Sequence, residues 1–336
     1  MILTPYRIAK LGKRWVLRCV RRQSSPHGFV FMYHRIASPK VDPWRDSVSP
    51  ENFAGQLQVL SDMVDVVPLE DLPGSLRIGR RSRPVAAITF DDGYVDNLKE
   101  AKPLLERFGV SATVFVPTRW IGDPRPMWWD RLAHGLLAVQ ALPGRLDLQV
   151  AGQDCSWQEP RVALSGPKGE KARRRLHQDI WSRMRSLPDD AARHAVLDCL
   201  VNALGTDEST LSDCRAMTRV EIRELVMDGR IVIGSHTATH PELPTLDRSA
   251  KAWEIGQSAE QLSMMLGERP SLFAYPYGEL DDESAQLARQ AGFTIACTTS
   301  RDMVWASNDP LRLPRIGVSN MSPGAFRFWL RWYWLA

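Results

Sequence analysis

Short apolar runs alternate with amphipathic stretches along most of this chain, and this alternation restricts the fold more than any other feature of the sequence. The apolar runs are predicted strands and lie at 29–33, 64–67, 86–90, 112–116, 231–234, 272–275 and 294–298. The predicted helices lie at 53–63, 95–108, 219–227, 247–266 and 281–291. Continuous apolar strands separated by helices are typical of a parallel sheet in an α/β fold. About seven such units favour a barrel over an open sheet.

One long segment interrupts this alternation. From about residue 122 to 215 no convincing strand is predicted, and several helical stretches surround a basic run at 168–175. We therefore predict a helical insertion within a barrel domain that spans 26–320. Two tryptophans near the start of the insertion, Trp128 and Trp129, are interpreted either as core residues or as platforms for a sugar ring.

Both ends of the chain combine basic and aromatic residues. Segment 1–25 has no acidic residue and predicts a basic amphipathic helix, and tail 321–336 is rich in tryptophan and arginine. Such segments are typical of the surface of an anionic membrane. For segment 1–25, the alternatives are a helix packed on its own domain or a targeting segment. For tail 321–336, the alternative is a helix docked on the domain. No span of about 20 apolar residues is present, so we expect a cytoplasmic protein that associates peripherally with the inner face of the membrane.

Composition excludes several other classes of protein. The net charge of +4 and the absence of zinc-finger spacing or an aromatic-and-basic RNA-binding pattern give no reason to expect a nucleic acid partner. The five cysteines include no CxxC pair, and their odd number predicts free thiols rather than a disulfide framework.

Three polar clusters follow predicted strands, at the edge where α/β barrels form their sites. In the first, Asp91 and Asp92 are adjacent, so that one carboxylate can bind a metal while the other acts as a base. Asp-Asp-Gly also occurs in exposed turns. In the second, His236 and His240 have the spacing at which two imidazoles meet on one side of a helical turn. In the third, the loop 273–278 offers a backbone N–H to an oxyanion.

These clusters, in this order, resemble the polysaccharide deacetylase family, the NodB-homology group of carbohydrate esterases. The matching residues are Thr-Phe-Asp-Asp-Gly at 89–93, Ser-His-Thr-x-x-His at 235–240 and Tyr-Pro-Tyr-Gly at 275–278. The resemblance covers most of residues 28–320 apart from the insertion. It implies a distorted (β/α)₇ barrel that removes N-acetyl groups from a carbohydrate.

The resemblance also implies roles for individual residues. Asp91 matches the general base, and the backbone N–H of Tyr277 matches the oxyanion donor. The metal ligands correspond to Asp92, His236 and His240. Two histidines and one carboxylate leave positions open for water and substrate, as in a catalytic site, and suit zinc, although related sites accept other divalent ions. Ser235 and Thr237 would orient the second histidine loop.

Two positions depart from the family pattern. Ala274 stands where the family has an arginine that tethers the catalytic carboxylate, and Arg315 is the candidate replacement. No histidine follows His240, so the family's late acid histidine is missing. A subgroup similar to the poly-N-acetylglucosamine deacetylases uses an early Tyr-His as the acid, which points to His34. The alternative for His34 is a buried, hydrogen-bonded histidine.

The expected function is thus a metal-dependent hydrolase that deacetylates a polysaccharide or a lipid-linked amino sugar. The alternative is a catalytically weak barrel that binds saccharide within a polysaccharide-assembly complex. Ala274 keeps this alternative open, because a missing tether leaves the orientation of Asp91 unexplained.

Overall fold

A computed structural model describes residues 27–78, 83–139, 142–150, 152–158, 166–187 and 189–335. The basic segment predicted at 1–25 lies outside the described residues.

The strands are β1 His27–Tyr33, β2 Arg35–Ile36, β3 Ser47–Val48, β4 Asp65–Val66, β5 Val85–Phe90, β6 Ala112–Val116, β7 Arg145–Val150, β8 Gln153–Gln158, β9 Ile231–Ser235, β10 Leu272–Ala274, β11 Ile295–Cys297, β12 Val304–Trp305 and β13 Ile316–Gly317. The α-helices are α1 Pro50–Met63, α2 Leu72–Arg77, α3 Lys102–Phe108, α4 Trp128–Ala133, α5 Gly166–Arg185, α6 Asp190–Leu204, α7 Arg219–Val226, α8 Arg248–Leu266, α9 Asp282–Gln290 and α10 Pro323–Leu335.

The central sheet is parallel and curls into a barrel. Its order is β11-β10-β9-β6-β5-β1, with β4 paired to β5 and an antiparallel β12 beside β1. Residues 313–318 lie between the two ends of this sheet. The carbonyl of Leu313 accepts from the N–H of Thr298 after β11, and the N–H of Val318 donates to the carbonyl of Met32 in β1. This short segment closes the ring, and the predicted distorted (β/α) barrel is confirmed.

The strands form where the sequence is continuously apolar. All side chains of β5 and β6 are buried, as expected for parallel strands covered on both faces. The helices begin and end at capping residues: α8 starts after Asp247, whose carboxylate accepts from the N–H of Ala250, and ends at Gly267 with a φ of 83°. Helix and strand boundaries therefore follow local chemistry that the sequence contains.

The insertion is not purely helical, which corrects the prediction for 122–215. Strands β7 and β8 form an antiparallel hairpin within it. In β7 the side chains of Leu146, Leu148 and Val150 are buried, and the residues between them are exposed. This two-residue alternation is the pattern of a half-buried strand. Together with α4, α5 and α6, the hairpin encloses a separate hydrophobic core that includes Trp128.

Helix α10, in the aromatic tail, packs on the barrel with one face. Phe326 and Leu330 are fully buried, and the ring of Phe326 lies 6.2 Å from that of Phe31 in β1. The opposite face exposes Phe328 and Trp332, at 73% and 57% of their surface. The tail therefore forms a helix packed on its own domain, which was the alternative to a membrane-bound segment. An aromatic face of this helix remains exposed to solvent. In the described part of the chain, no helix is both long enough and apolar enough to cross a bilayer.

Candidate active site

The turn after β5 directs two neighbouring carboxylates to different partners. The N–H of Asp91 donates to the carbonyl of Tyr33 at 3.0 Å, which continues the sheet by one residue. Asp92 then adopts a φ of 70°, and Gly93 a φ of 65°. A Cβ on Gly93 would lie 2.6 Å from a methyl group of Val116, so only glycine fits there. The reversal sends Asp91 toward Arg315 and Asp92 toward the histidines, as the sequence predicts.

Asp92, His236 and His240 converge in a buried cluster. Asp92 Oδ1 lies 3.4 Å from His240 Nε2 and 3.8 Å from His236 Nε2, and one ligand atom from each residue lies within 4.8 Å of the others. Bonds of roughly 2.0–2.2 Å to a tetrahedral zinc place ligand atoms about 3.3–3.6 Å apart. The spacing therefore suits a shared metal ion better than direct hydrogen bonds, and these three residues fit a divalent cation.

The protonation states of this cluster also suit a cation. Burial lowers the pKa of His236 to about 4 and lowers that of His240 as well, so both imidazoles are neutral. Burial raises the pKa of Asp92 to about 7, and the Asp91 charge adds to this effect. His236 Nδ1 lies 2.7 Å from the carbonyl oxygen of Ala274. Since a carbonyl only accepts, Nδ1 carries the proton and the lone pair is on Nε2, toward Asp92.

The loop between the two histidines is not a helical turn, contrary to the prediction from their spacing. Thr237 and His240 have left-handed backbones, with φ of 66° and 59°. The hydroxyl of Thr237 accepts from the N–H of His240 at 3.0 Å. Glu254 on α8 accepts from the N–H groups of Ala238 and Thr239, each at 2.9 Å. Side chains therefore hold a conformation that these residue types do not favour on their own.

Glu254 was not recognised from the sequence, and we predict that it supports metal binding. Glu254→Ala should remove both hydrogen bonds to the loop and weaken metal affinity by about 10- to 100-fold, the usual effect of losing a group that orients a ligand. Titration with a fluorescent chelator would measure this change. Glu260→Ala is the matched control, because Glu260 is exposed on the same helix. Equal affinities for the two variants would contradict the prediction.

Arg315 binds Asp91 with both ends of its guanidinium. The two N···O distances are both 2.7 Å, and the arginine is fully buried. Its remaining contacts are to the carbonyl of Thr298 at 2.9 Å and the hydroxyl of Thr89 at 3.2 Å. Burial alone would raise the pKa of Asp91, but the charge of Arg315 outweighs it and lowers that pKa to about 2. Arg315 thus supplies the tether that Ala274 cannot, and Asp91 is ionised.

His34 lines an open cleft, together with Asp92, Asp46, Trp44 and Trp129. Burial alone would lower the pKa of His34, but the charges of Asp46, Asp91 and Asp92 outweigh it and raise that pKa. The imidazolium is therefore stabilised in this cleft. His34 thus faces the cleft rather than being enclosed in the core, and its role as the proton donor stays a prediction.

The Tyr277 turn is held in a strained shape. Tyr277 has a φ of 58°, and the N–H of Gly278 donates to the carbonyl of Tyr275 at 2.8 Å. A Cβ on Gly278 would lie 2.0 Å from the hydroxyl of Thr299. The ring of Tyr277 lies 4.7 Å from that of His240. This turn therefore places Tyr277 beside His240, and the role of its backbone N–H as the oxyanion donor stays a prediction.

Aromatic residues that the sequence left without an assigned role enclose His240. Its ring lies 5.5 Å from that of Trp120 and 5.4 Å from that of Trp129. The indole N–H of Trp129 donates to the hydroxyl of Tyr94, which donates to Asp130. These contacts exclude water from one side of the cluster. The sequence left open whether Trp128 and Trp129 are core residues or platforms for a sugar ring. Trp128 is buried in the core of the insertion, and Trp129 lines the cleft.

Comparisons with known proteins agree with this site. The sequence model of the polysaccharide deacetylase family matches residues 79–141 and 206–296. YxkH of Bacillus subtilis (strain 168), whose name describes it as a polysaccharide deacetylase, is 22% identical over 303 residues, which are 88% of this chain and 74% of YxkH.

Solved structures share the fold. The deacetylase PplD of Streptococcus pyogenes, solved in complex with acetate, has a TM-score of 0.56 at 18% identity, covering 90% of this chain and 97% of PplD. IcaB from Ammonifex degensii has a TM-score of 0.53 at 18% identity, covering 90% of this chain and 97% of IcaB.

The two segments matched by the family model contain both carboxylates of the β5 turn and both histidines that face them. The barrel that carries these residues is shared with the deacetylase PplD and with IcaB. The chain therefore belongs to the polysaccharide deacetylase family and is a carbohydrate N-deacetylase.

Proposed function

We propose that this deacetylase is a metal-dependent hydrolase that removes N-acetyl groups from the amino sugars of a polysaccharide or a lipid-linked saccharide. The observation that carries the proposal is the divergence of two carboxylates in one turn. Asp91 is fixed by Arg315 as an ionised base, and Asp92 faces two neutral imidazoles at 3.4 and 3.8 Å. One group for proton transfer and one cation site are thereby adjacent.

Each protein group has a role that its environment supports. A divalent cation held by Asp92, His236 and His240, with zinc the ion their chemistry suits best, would polarise the amide carbonyl and the attacking water. Asp91 takes the proton of that water. The N–H of Tyr277 donates to the oxyanion of the tetrahedral intermediate.

His34 completes the reaction. Its imidazolium gives its proton to the leaving nitrogen, and the products are acetate and an amino sugar. Two of the carboxylates that stabilise this imidazolium, Asp46 and Asp92, also line the cleft. Asp42 and Asp130 add to this lining, which contains one arginine, Arg35. An acidic lining supports a neutral N-acetylated sugar as the substrate rather than a sugar acid.

The geometry does not favour a weakly active saccharide-binding barrel. That alternative depended on Ala274, because the usual tether of the base was missing. The bidentate contact of Arg315 with Asp91 supplies a tether from the segment just before β13. The reason for expecting weak catalysis is thereby removed.

The test is acetate release from N-acetylglucosamine oligomers and from a lipid-linked N-acetyl sugar. Protein stripped with a chelator should lose activity and regain it with added Zn²⁺, and Asp92→Ala should not regain it. Full activity in protein shown to be free of metal would refute the metal dependence. Absence of acetate from every substrate, with metal bound, would refute the proposed reaction.

His34→Gln should lower the rate of acetate release by about 10²- to 10⁴-fold, the usual range for a general acid. The protonated form is the active one, so wild-type activity should fall as pH rises through the elevated pKa of His34, above its ordinary 6.5. The variant should lose this alkaline limb of the pH profile. His134→Gln in the insertion is the control. A variant that keeps both its rate and its alkaline limb would exclude His34 as the acid.

We also infer that the protein associates with the cytoplasmic face of a membrane. Segment 1–25 lies outside the described residues, and the exposed Phe328 and Trp332 on α10, with Arg331 between them, support the proposal. Removing residues 1–22 should reduce flotation with vesicles that contain anionic lipid and leave activity on soluble oligomers unchanged. Unchanged flotation would refute the role of the N-terminal segment, and Phe328→Ser tests the tail separately.

A further inference from the structure

Helix α5 of the insertion reaches across the mouth of the barrel. The ring of Trp181 lies 4.9 Å from that of Trp44, which belongs to the loop between β2 and β3. The same ring lies 6.1 Å from that of Tyr277, in the turn after β10. The first loop follows β2, which pairs with β3 in a separate two-stranded sheet, and the second follows β10 of the central sheet. One side chain of the insertion therefore connects two separate parts of the rim around the catalytic residues.

A second contact holds α5 in this position. Arg185 follows Trp181 by one helical turn, and its guanidinium lies 3.9 Å from the centre of the Tyr277 ring. The guanidinium also forms an ion pair of 2.7 Å with Glu242, two residues after the metal-site histidine His240. A cation stacked on a ring and paired with a carboxylate is fixed in two directions. We call Trp44, Trp181 and Arg185 the bridge.

The bridge lies next to the space for substrate. Trp44 is 39% exposed and lines the same cleft as Trp129, His34 and Asp92. Aromatic faces suit the apolar face of a sugar ring. A polymer that lies across a rim as an extended strand needs an open groove on both sides of the reacting unit, and the bridge obstructs one side.

We propose that the bridge restricts this enzyme to the terminal N-acetylated sugar of a chain and excludes internal units. This inference rests on the proposed function. The family model matches residues 79–141 and 206–296, so its matched segments contain neither α5 nor Trp44. Residues outside the shared catalytic motifs therefore select which sugar unit of the substrate is deacetylated.

The experiment uses the metal-loaded full chain and the N-acetylglucosamine pentamer, labelled with ¹⁸O at its reducing end. Tandem mass spectrometry locates each deacetylated unit. Wild type should deacetylate one terminal unit at least about tenfold faster than any internal unit. Trp181→Ala should raise the internal share by a similar factor. Trp44→Ala should also raise the internal share. Because Trp44 lies on a surface loop, this variant tests the inference even if Trp181→Ala misfolds.

Trp253→Ala is the matched control, because Trp253 is 49% exposed on α8 and belongs to neither the bridge nor the cleft. It should keep the wild-type distribution. Wild type that deacetylates internal and terminal units at equal rates would overturn the inference and leave the proposed function intact. Variants of the bridge with an unchanged distribution would overturn it too. Absence of acetate from every unit would instead refute the proposed function, and the inference with it.

Discussion

Replacing Asp91 by asparagine is expected to lower acetate release by about 10²- to 10⁴-fold, because the amide cannot take the proton of the attacking water. The metal affinity should stay near that of wild type, since Asp91 faces Arg315 and not the cation site. Acetate release and metal titration on the same samples separate the two effects. The two measurements distinguish a base from a metal ligand, because Asp92→Ala should lose both acetate release and metal affinity.

A surface carboxylate provides the control for this substitution. Asp282→Asn changes a side chain that is 95% exposed and paired with Arg312. It should leave activity and metal binding unchanged. An Asp91→Asn variant that retains more than about a tenth of the wild-type rate would show that another group takes the proton.

Arg315→Met is expected to destabilise the fold by about 3–5 kcal/mol, because it leaves the buried carboxylate of Asp91 without a partner. It should also move the acidic limb of the activity profile upward. In wild type the charge of Arg315 keeps the pKa of Asp91 at about 2, so the base is ionised at every ordinary pH. Without that charge, burial raises the pKa of Asp91, and activity appears only as pH rises through the new value. Urea unfolding and a pH profile measure the two effects.

A double substitution separates stability from catalysis. Asp91→Leu with Arg315→Met replaces the ion pair by apolar groups, which often restores the stability lost in the single variant. The double variant should therefore unfold at a higher urea concentration than Arg315→Met and still release no acetate. Arg315→Lys should be intermediate, since one ammonium cannot make both contacts of a guanidinium. Normal stability and activity in Arg315→Met would show that the tether is dispensable.

The parts of the fold that follow from local chemistry could be predicted from the sequence. The run at 112–116 coincides with β6, and Gly267 ends α8 as a left-handed cap. These features depend on residues that are adjacent in the chain. The hairpin was missed although Leu146, Leu148 and Val150 alternate with exposed residues, because the tryptophans and basic run around it favoured a helical interpretation.

The site was predictable where residue type limits the chemistry. Adjacent carboxylates after a strand and two nearby histidines were enough to suggest a cation site beside a base. Arg315 and His34 were named only through the resemblance to the polysaccharide deacetylase family. The conformation of the histidine loop was not predictable, since the left-handed backbone of His240 depends on Glu254, which is 14 positions away in the sequence. A glutamate on the buried face of α8, beside Ile255 and Ser258, was the available signal.

The closure of the barrel by residues 313–318 also limits when the enzyme can work during its synthesis. The carboxylate of Asp91 and its guanidinium partner are 224 positions apart. A nascent chain that has reached residue 300 already contains the residues proposed as base, metal ligands and acid, but it lacks the segment at 313–318 that joins β11 to β1. On the ribosome, catalytic competence should therefore arise only after the last turn of the ring has emerged from the exit tunnel, which keeps unfinished chains from acting on sugars.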